Sequence, residues 1–150
     1  MANMSNYLEN KLIDHIFRGT SYTAPSTLAV ALCTAAPNDT STGATITEVA
    51  DSNGYERTEL APDDANWTDT AGGTSETSSG TTGTTSNAAA ITFPTASGSW
   101  GTITHIAIVD SATHGAGNVL FWGELVTPKT ITDQDTFSFS IGNLSVQLDN

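Results

Sequence analysis

The chain has 150 residues, enough for one ordinary domain with one core. Charged residues make up only 13%, and Lys11, Arg18, Arg57 and Lys129 stand against 16 carboxylates, for a net charge of −12. That balance argues against a nucleic-acid-binding surface, which needs clustered cations, and against anionic membrane surfaces.

The opening, MANMSNYLEN, has neither a basic region nor an apolar run, so no signal peptide is expected there. No apolar stretch approaches the roughly 18 residues of a membrane span. The reading is a chain made in the cytoplasm that stays soluble.

Residues 5–18 form the one good helix. Asn6 is placed to cap it, with Glu9 three residues on at the capping-box position. Leu8, Leu12 and Ile16 stack at i, i+4 and i+8, with Ile13 and Phe17 beside them, and Gly19 is a natural stop. This broad apolar stripe lies on the sheet in a monomer, or packs on a neighbour in an oligomer.

Leu28 to Cys33 reads as a strand, with Leu28, Val30 and Leu32 on one face and small Ala29 and Ala31 on the other. Cys33, the one cysteine, has an apolar setting that suits a buried, inert thiol. Thr45 to Ala50 is a short strand, Asp51 to Gly54 a turn, and Tyr55 to Leu60 an edge strand or arm. The carboxylates from Glu48 to Asp69 read as a solvated acidic surface, and Asp51-Ser-Asn-Gly54 only weakly resembles a calcium loop.

Residues 71–87 are rich in Thr, Ser and Gly, with nothing apolar larger than alanine, and read as a long exposed loop. Ala88 to Phe93 resumes as a strand. Ser99 to Val126 holds two arms, apolar on both rows, around a turn-rich Asp110–Asn118, and is the hairpin against which the rest packs. Lys129 to Ile131 is a short strand or turn segment. In the last strand Phe137, Phe139 and Ile141 are out of phase with Leu144, Val146 and Leu148, which suggests a β-bulge at Gly142-Asn143. About seven or eight short strands with turns between them make residues 1–150 a single all-β domain. The expected architecture is an antiparallel β-sandwich, jelly-roll-like, with one N-terminal amphipathic helix.

Chemistry is hard to find. His15, His105 and His114 lack zinc spacing, and His105 reads as a structural core histidine. There is no GxSxG elbow, P-loop or dinucleotide fingerprint, so neither an enzyme nor a cofactor nor a small-molecule substrate is expected. An interaction protein remains.

Three groups of residues resemble a family of small tailed-bacteriophage virion proteins. The first is the opening helix with Tyr22-Thr-Ala-Pro25, Val30-Ala-Leu32 and Thr34-Ala-Ala-Pro37. The second is Ile91-Thr-Phe-Pro94, Ala96, Trp100-Gly-Thr-Ile103, His105, Ile108 and Asp110, departing from the pattern at Ser111. The third is Gly117-Asn-Val-Leu-Phe-Trp-Gly-Glu-Leu125, followed by a tail from Lys129 with Gln134 where glycine is common. The resemblance covers most of the chain outside roughly 63–87. It implies a virion structural role without catalysis.

Within that family the resemblance implies a capsid cement or decoration protein. It would sit as a homo-trimer on the outer shell and hold the major capsid protein together. The alternative is a tail-associated fibre or receptor-binding domain that presents the Thr/Ser/Gly loop and Trp67 to a host glycan. Cement fits better at this stage, because the chain has no heptads or repeats for a fibre shaft. The interface candidates are Tyr7, Leu8, Leu12, Ile13, Ile16, Phe17 and Trp67, with the Asp39 to Asp69 arm as a second contact region.

Overall fold

A computed structural model describes residues 2–74 and 77–148. Its frame is the expected hairpin: β6 (Gly101–Val109) and β7 (Val119–Ile131) pair antiparallel. β2 (Ala29–Cys33) joins the other side of β6 and is buried along its whole length. β3 (Thr58–Glu59) and β1 (Asn3–Met4) are the edges of this five-stranded sheet, in the order β1-β7-β6-β2-β3.

The second layer is two ribbons. β5 (Ile91–Thr92) pairs with β8 (Ser138–Phe139), and β4 (Thr84–Ser86) pairs with β9 (Ser145–Gln147). Val30, Leu32, Ile106 and Ile108 of the sheet meet Ile91, Phe93, Phe137, Leu144 and Val146 of the ribbons in the main core. The result is an antiparallel β-sandwich with one N-terminal helix, as expected. Its layers are unequal: five strands face two separate ribbons, rather than the matched four-stranded sheets of a jelly roll. The other face of the sheet carries Ala29, Ala31, Cys33, Ala107 and Val109. Their small size lets Ile46 pack closely on it.

Several expected elements differ. Thr45 to Ala50 is not a strand: residues 42–46 turn back on themselves, and only Glu48 bridges to Cys33. Lys129 to Ile131 belongs to β7, which runs on past an irregularity. Ile103 pairs with Lys129 but His105 with Glu124, so β6 advances two residues while β7 advances five, and residues 125–128 bow out. This shift returns Ile103 to the same core as Ile106.

The C-terminal strand is split, not bulged. Gly142, at φ +79°, makes a turn, and the two halves pair with different partners. The 71–87 stretch is not a loop throughout, because Thr84–Ser86 is β4 and Asn87 is fully buried. Asn87 holds the ribbons together: its amide donates to Ala89 O at 2.7 Å and Ser140 O at 3.0 Å, and its carbonyl accepts from Leu144 N. Ser75 and Glu76 of that stretch lie outside the described residues.

Two members of the expected acidic surface, Glu48 and Asp69, are turned inward. Asp69 accepts backbone N–H groups of Ala71 and Gly73. Glu48 meets Arg57 in a buried bidentate pair, Nε to Oε1 at 2.8 Å and Nη2 to Oε2 at 2.7 Å. Every guanidinium N–H is used: the rest reach the carbonyls of Gly43, Ser111 and Ala116. Gly43 must be glycine here, since a Cβ would stand 1.9 Å from the Ala116 oxygen. Tyr55 completes the cluster, donating its hydroxyl to Glu48 at 2.8 Å and accepting from Leu32 N at 2.9 Å.

Removing either charge leaves the other buried and uncompensated. Arg57→Met and Glu48→Leu are each expected to cost about 3–5 kcal/mol in urea unfolding. The double substitution should cost clearly less than their sum.

Cys33 is buried as expected. Burial, then the Glu48 charge, push its thiol from an ordinary 9.0 up to about 12. The Tyr55 phenol is pushed up from 10.0 by the same two causes in the same order. The folded thiol keeps a proton that the unfolded chain loses, so stability is full below pH 9 and falls as pH rises towards 12. The melting temperature should therefore drop from about pH 9 upward, before Tyr55 contributes. Cys33→Ala should flatten that first part of the fall.

Candidate assembly surfaces

The N-terminal segment is pinned to β7 by backbone and one hydroxyl. Asn3 pairs with Trp122 and Met4 with Phe121, and Ser5 N donates to Leu120 O at 3.0 Å. The fully buried Ser5 hydroxyl donates to the Val119 carbonyl and accepts from Leu8 N. Ser5 is thus the N-cap of α1 (Asn6–Phe17), one residue before the expected Asn6. The sheet edge decides this, because it fixes Ser5 and leaves Asn6 N to bond Asp39 O at 2.8 Å. Glu9 then lies beyond the capping-box position.

From that anchor the helix leaves the domain instead of lying on the sheet. Leu8 is its only buried residue, while Tyr7 and Leu12 are half-buried. Ile13, Ile16 and Phe17 are 50%, 65% and 78% exposed. Successive i+4 positions drift around the helix, so a stripe that starts at buried Leu8 ends facing water. Arg18 and Asp14 pair at 3.0 Å on the surface, and Gly19 ends the helix at φ +71°.

Trp67 stands apart from the helix. It is half-buried, its Nε1 donates to Leu60 O at 3.2 Å, and its ring packs on the main core. Its open side lines a shallow basin of about 260 Å³ with Leu28, Pro62, Asp63 and Asp64, and no helix residue lines it. The Asp39 to Asp69 arm is packed into the domain through Ile46, Val49, Tyr55, Arg57 and Leu60.

A second apolar surface was missed in the sequence. Where β7 bows out, a groove of about 460 Å³ opens between it and the ribbons, lined by Phe121, Leu125, Val126, Phe137 and Phe139 among others. Val126 on its rim is fully exposed. The signal lay in Leu125-Val-Thr-Pro128, where a proline interrupts an otherwise apolar strand.

Among the described residues no three His, Cys, Asp or Glu side chains come together as a metal site requires, and no helix is long and apolar enough to cross a membrane. The molecule is a small antiparallel β-domain whose exposed large apolar side chains are the helix end, Val126 on the groove rim, Ile141 and Leu148. This chain belongs to a phage virion structural family: residues 3–147 match the family described as podophage GP4 fiber I protein gp80. No curated protein matches the chain.

The burial difference along α1 is measurable. Leu8→Ala should cost about 2–5 kcal/mol in denaturant unfolding of the isolated chain. Ile16→Asp should stay within about 0.5 kcal/mol of wild type.

Proposed function

We propose that this chain is a subunit of a phage fibre that acts by assembly and performs no catalysis. The exposed apolar stripe Ile13, Ile16 and Phe17 carries the reading. A helix end whose large apolar side chains are half or more exposed is a surface for a neighbour. The family's description as a fibre protein supports the same role. The β-sandwich is the rigid base, and Ser5 fixes where the helix points. Neighbours are another copy, in a homo-trimer or larger assembly, or an adjoining virion protein. With a net charge of −12, nucleic acid is not among them.

The capsid-cement reading places the same surface against the major capsid protein on the outer shell. The compact, repeat-free domain favours it, and the family description does not. Copy number separates the two. Mass-spectrometric stoichiometry against the major capsid protein, with gold-labelled antibody on purified particles, should find few copies per particle, confined to fibres or the tail. A ratio near one to one, with label over the shell, would replace fibre by cement.

A further inference from the structure

We propose that Asn53 is a self-modification site. When the turn at Asn53-Gly54 opens, the side-chain amide is lost as ammonia, and the aspartate or isoaspartate left behind marks a chain that has opened. The inference is independent of the fibre reading.

Residues 53–54 are the one Asn-Gly pair in the sequence. They turn tightly: Tyr55 N donates to Ser52 O at 3.1 Å, and φ is +53° at Asn53 and +74° at Gly54. Two positive φ values inside such a bond make a type I′ turn, which Asn-Gly favours. Both residues are exposed, so water reaches them. The pair is chemically reactive because glycine has no side chain to shield its backbone nitrogen.

The reaction needs only water. Gly54 N attacks Asn53 Cγ, and the new N–C bond closes a five-membered imide ring. The Cγ–Nδ2 bond breaks, and Nδ2 leaves as ammonia with the proton from Gly54 N. Water then opens the ring at one of its two carbonyls. Opening at one gives aspartate. Opening at the other gives isoaspartate, whose main chain runs through the former side chain. Nothing is oxidised or reduced.

The fold opposes the first step, which requires Cγ to swing onto Gly54 N. Asn53 is clamped to residues 97–100, the segment that leads into β6. Its Nδ2 donates to Ser99 O at 3.1 Å. Its backbone oxygen accepts from Ser97 N and from Trp100 Nε1, both at 2.9 Å. Gly98 lies flat against the amide, since a Cβ there would stand 2.8 Å from Asn53 Cγ. Trp100 is buried and meets Tyr55 edge-on at 5.3 Å, so the clamp is tied to the main core. The amide comes free only when residues 52–55 and 97–100 separate.

Neither product restores the clamp. In aspartate a carboxylate oxygen replaces Nδ2 and faces Ser99 O, acceptor against acceptor. In isoaspartate the main chain gains a methylene, and the bonds to the Asn53 oxygen lose their register. One opening event is thereby recorded in covalent form.

The test incubates the full chain in mildly alkaline buffer with and without urea. Mass spectrometry follows each asparagine peptide, with aspartate and isoaspartate forms separated by chromatography. In urea Asn53 should react faster than any other asparagine. In the folded chain it should react at least about tenfold slower than in urea. Gly98→Ala, shown to be folded by its melting curve, should react faster than folded wild type, and Asn53→Asp should melt below it. Equal wild-type rates with and without urea would overturn the protection. A reaction in urea that does not favour Asn53 would overturn the site. If folded Gly98→Ala reacts no faster than wild type, or Asn53→Asp melts with it, the clamp does not have the role assigned to it.

Discussion

The buried guanidinium of Arg57 ties together three parts of the chain that lie far apart in sequence. It holds the carboxylate of Glu48, the carbonyl of Gly43 and two carbonyls of the turn between β6 and β7. The segment around residues 42–48 has only isolated bridges and a few backbone bonds to Gly117 and Thr34, so this pair and Ile46 add to what holds it over Ala29, Ala31 and Ala107. Burying the charges is costly, and the cost is offset because each donor on Arg57 has a partner. Tyr55 extends the link from Glu48 to the backbone of β2, where Leu32 N bonds its hydroxyl. Sheet, cover and hairpin turn are thereby locked as one body.

A rigid body gives the helix its meaning. β7 positions Ser5 through two carbonyls and an adjacent strand pair, so the first turn of α1 is fixed, while its last turn buries no side chain and His15 Nδ1 there accepts from Tyr22 N. The same strand opens the groove where it bows out at residues 125–128. One strand thus sets both apolar surfaces, and their spacing follows from its length. Neither surface improves the stability of the isolated domain, since exposed apolar side chains gain nothing in water. On the proposed fibre reading their value lies in association, and the chain's virion structural family supports that reading.

Most of the sheet was legible in the residues. Alternation identified β2, the apolar runs identified the hairpin arms, and the phase change at Gly142-Asn143 marked a break that was expected as a bulge and is a turn. What alternation could not show was pairing. Phe137–Ile141 and Leu144–Leu148 look like two halves of one strand, yet each half pairs with a different neighbour, Ile91–Thr92 and Thr84–Ser86. Thr84–Ser86 lay hidden in a polar stretch, because its strand is held by backbone bonds and by Asn87 and not by apolar burial. Glu48 read as part of an acidic surface, since nothing local announces that Arg57, nine residues on, will close on it inside. The helix stripe was plain from its spacing. That its far end faces water required the anchor at Ser5, which depends on a contact with β7 more than a hundred residues away.

Amide hydrogen exchange, compared between the isolated chain and the chain in assembled particles, tests the central claim most directly. The account holds that the end of α1, exposed in the isolated chain, is covered on assembly. It predicts that amides of residues 13–18 exchange faster in the free chain than in the particle, while β2 and β6 are slow in both. Equal exchange of that segment in both states would contradict it.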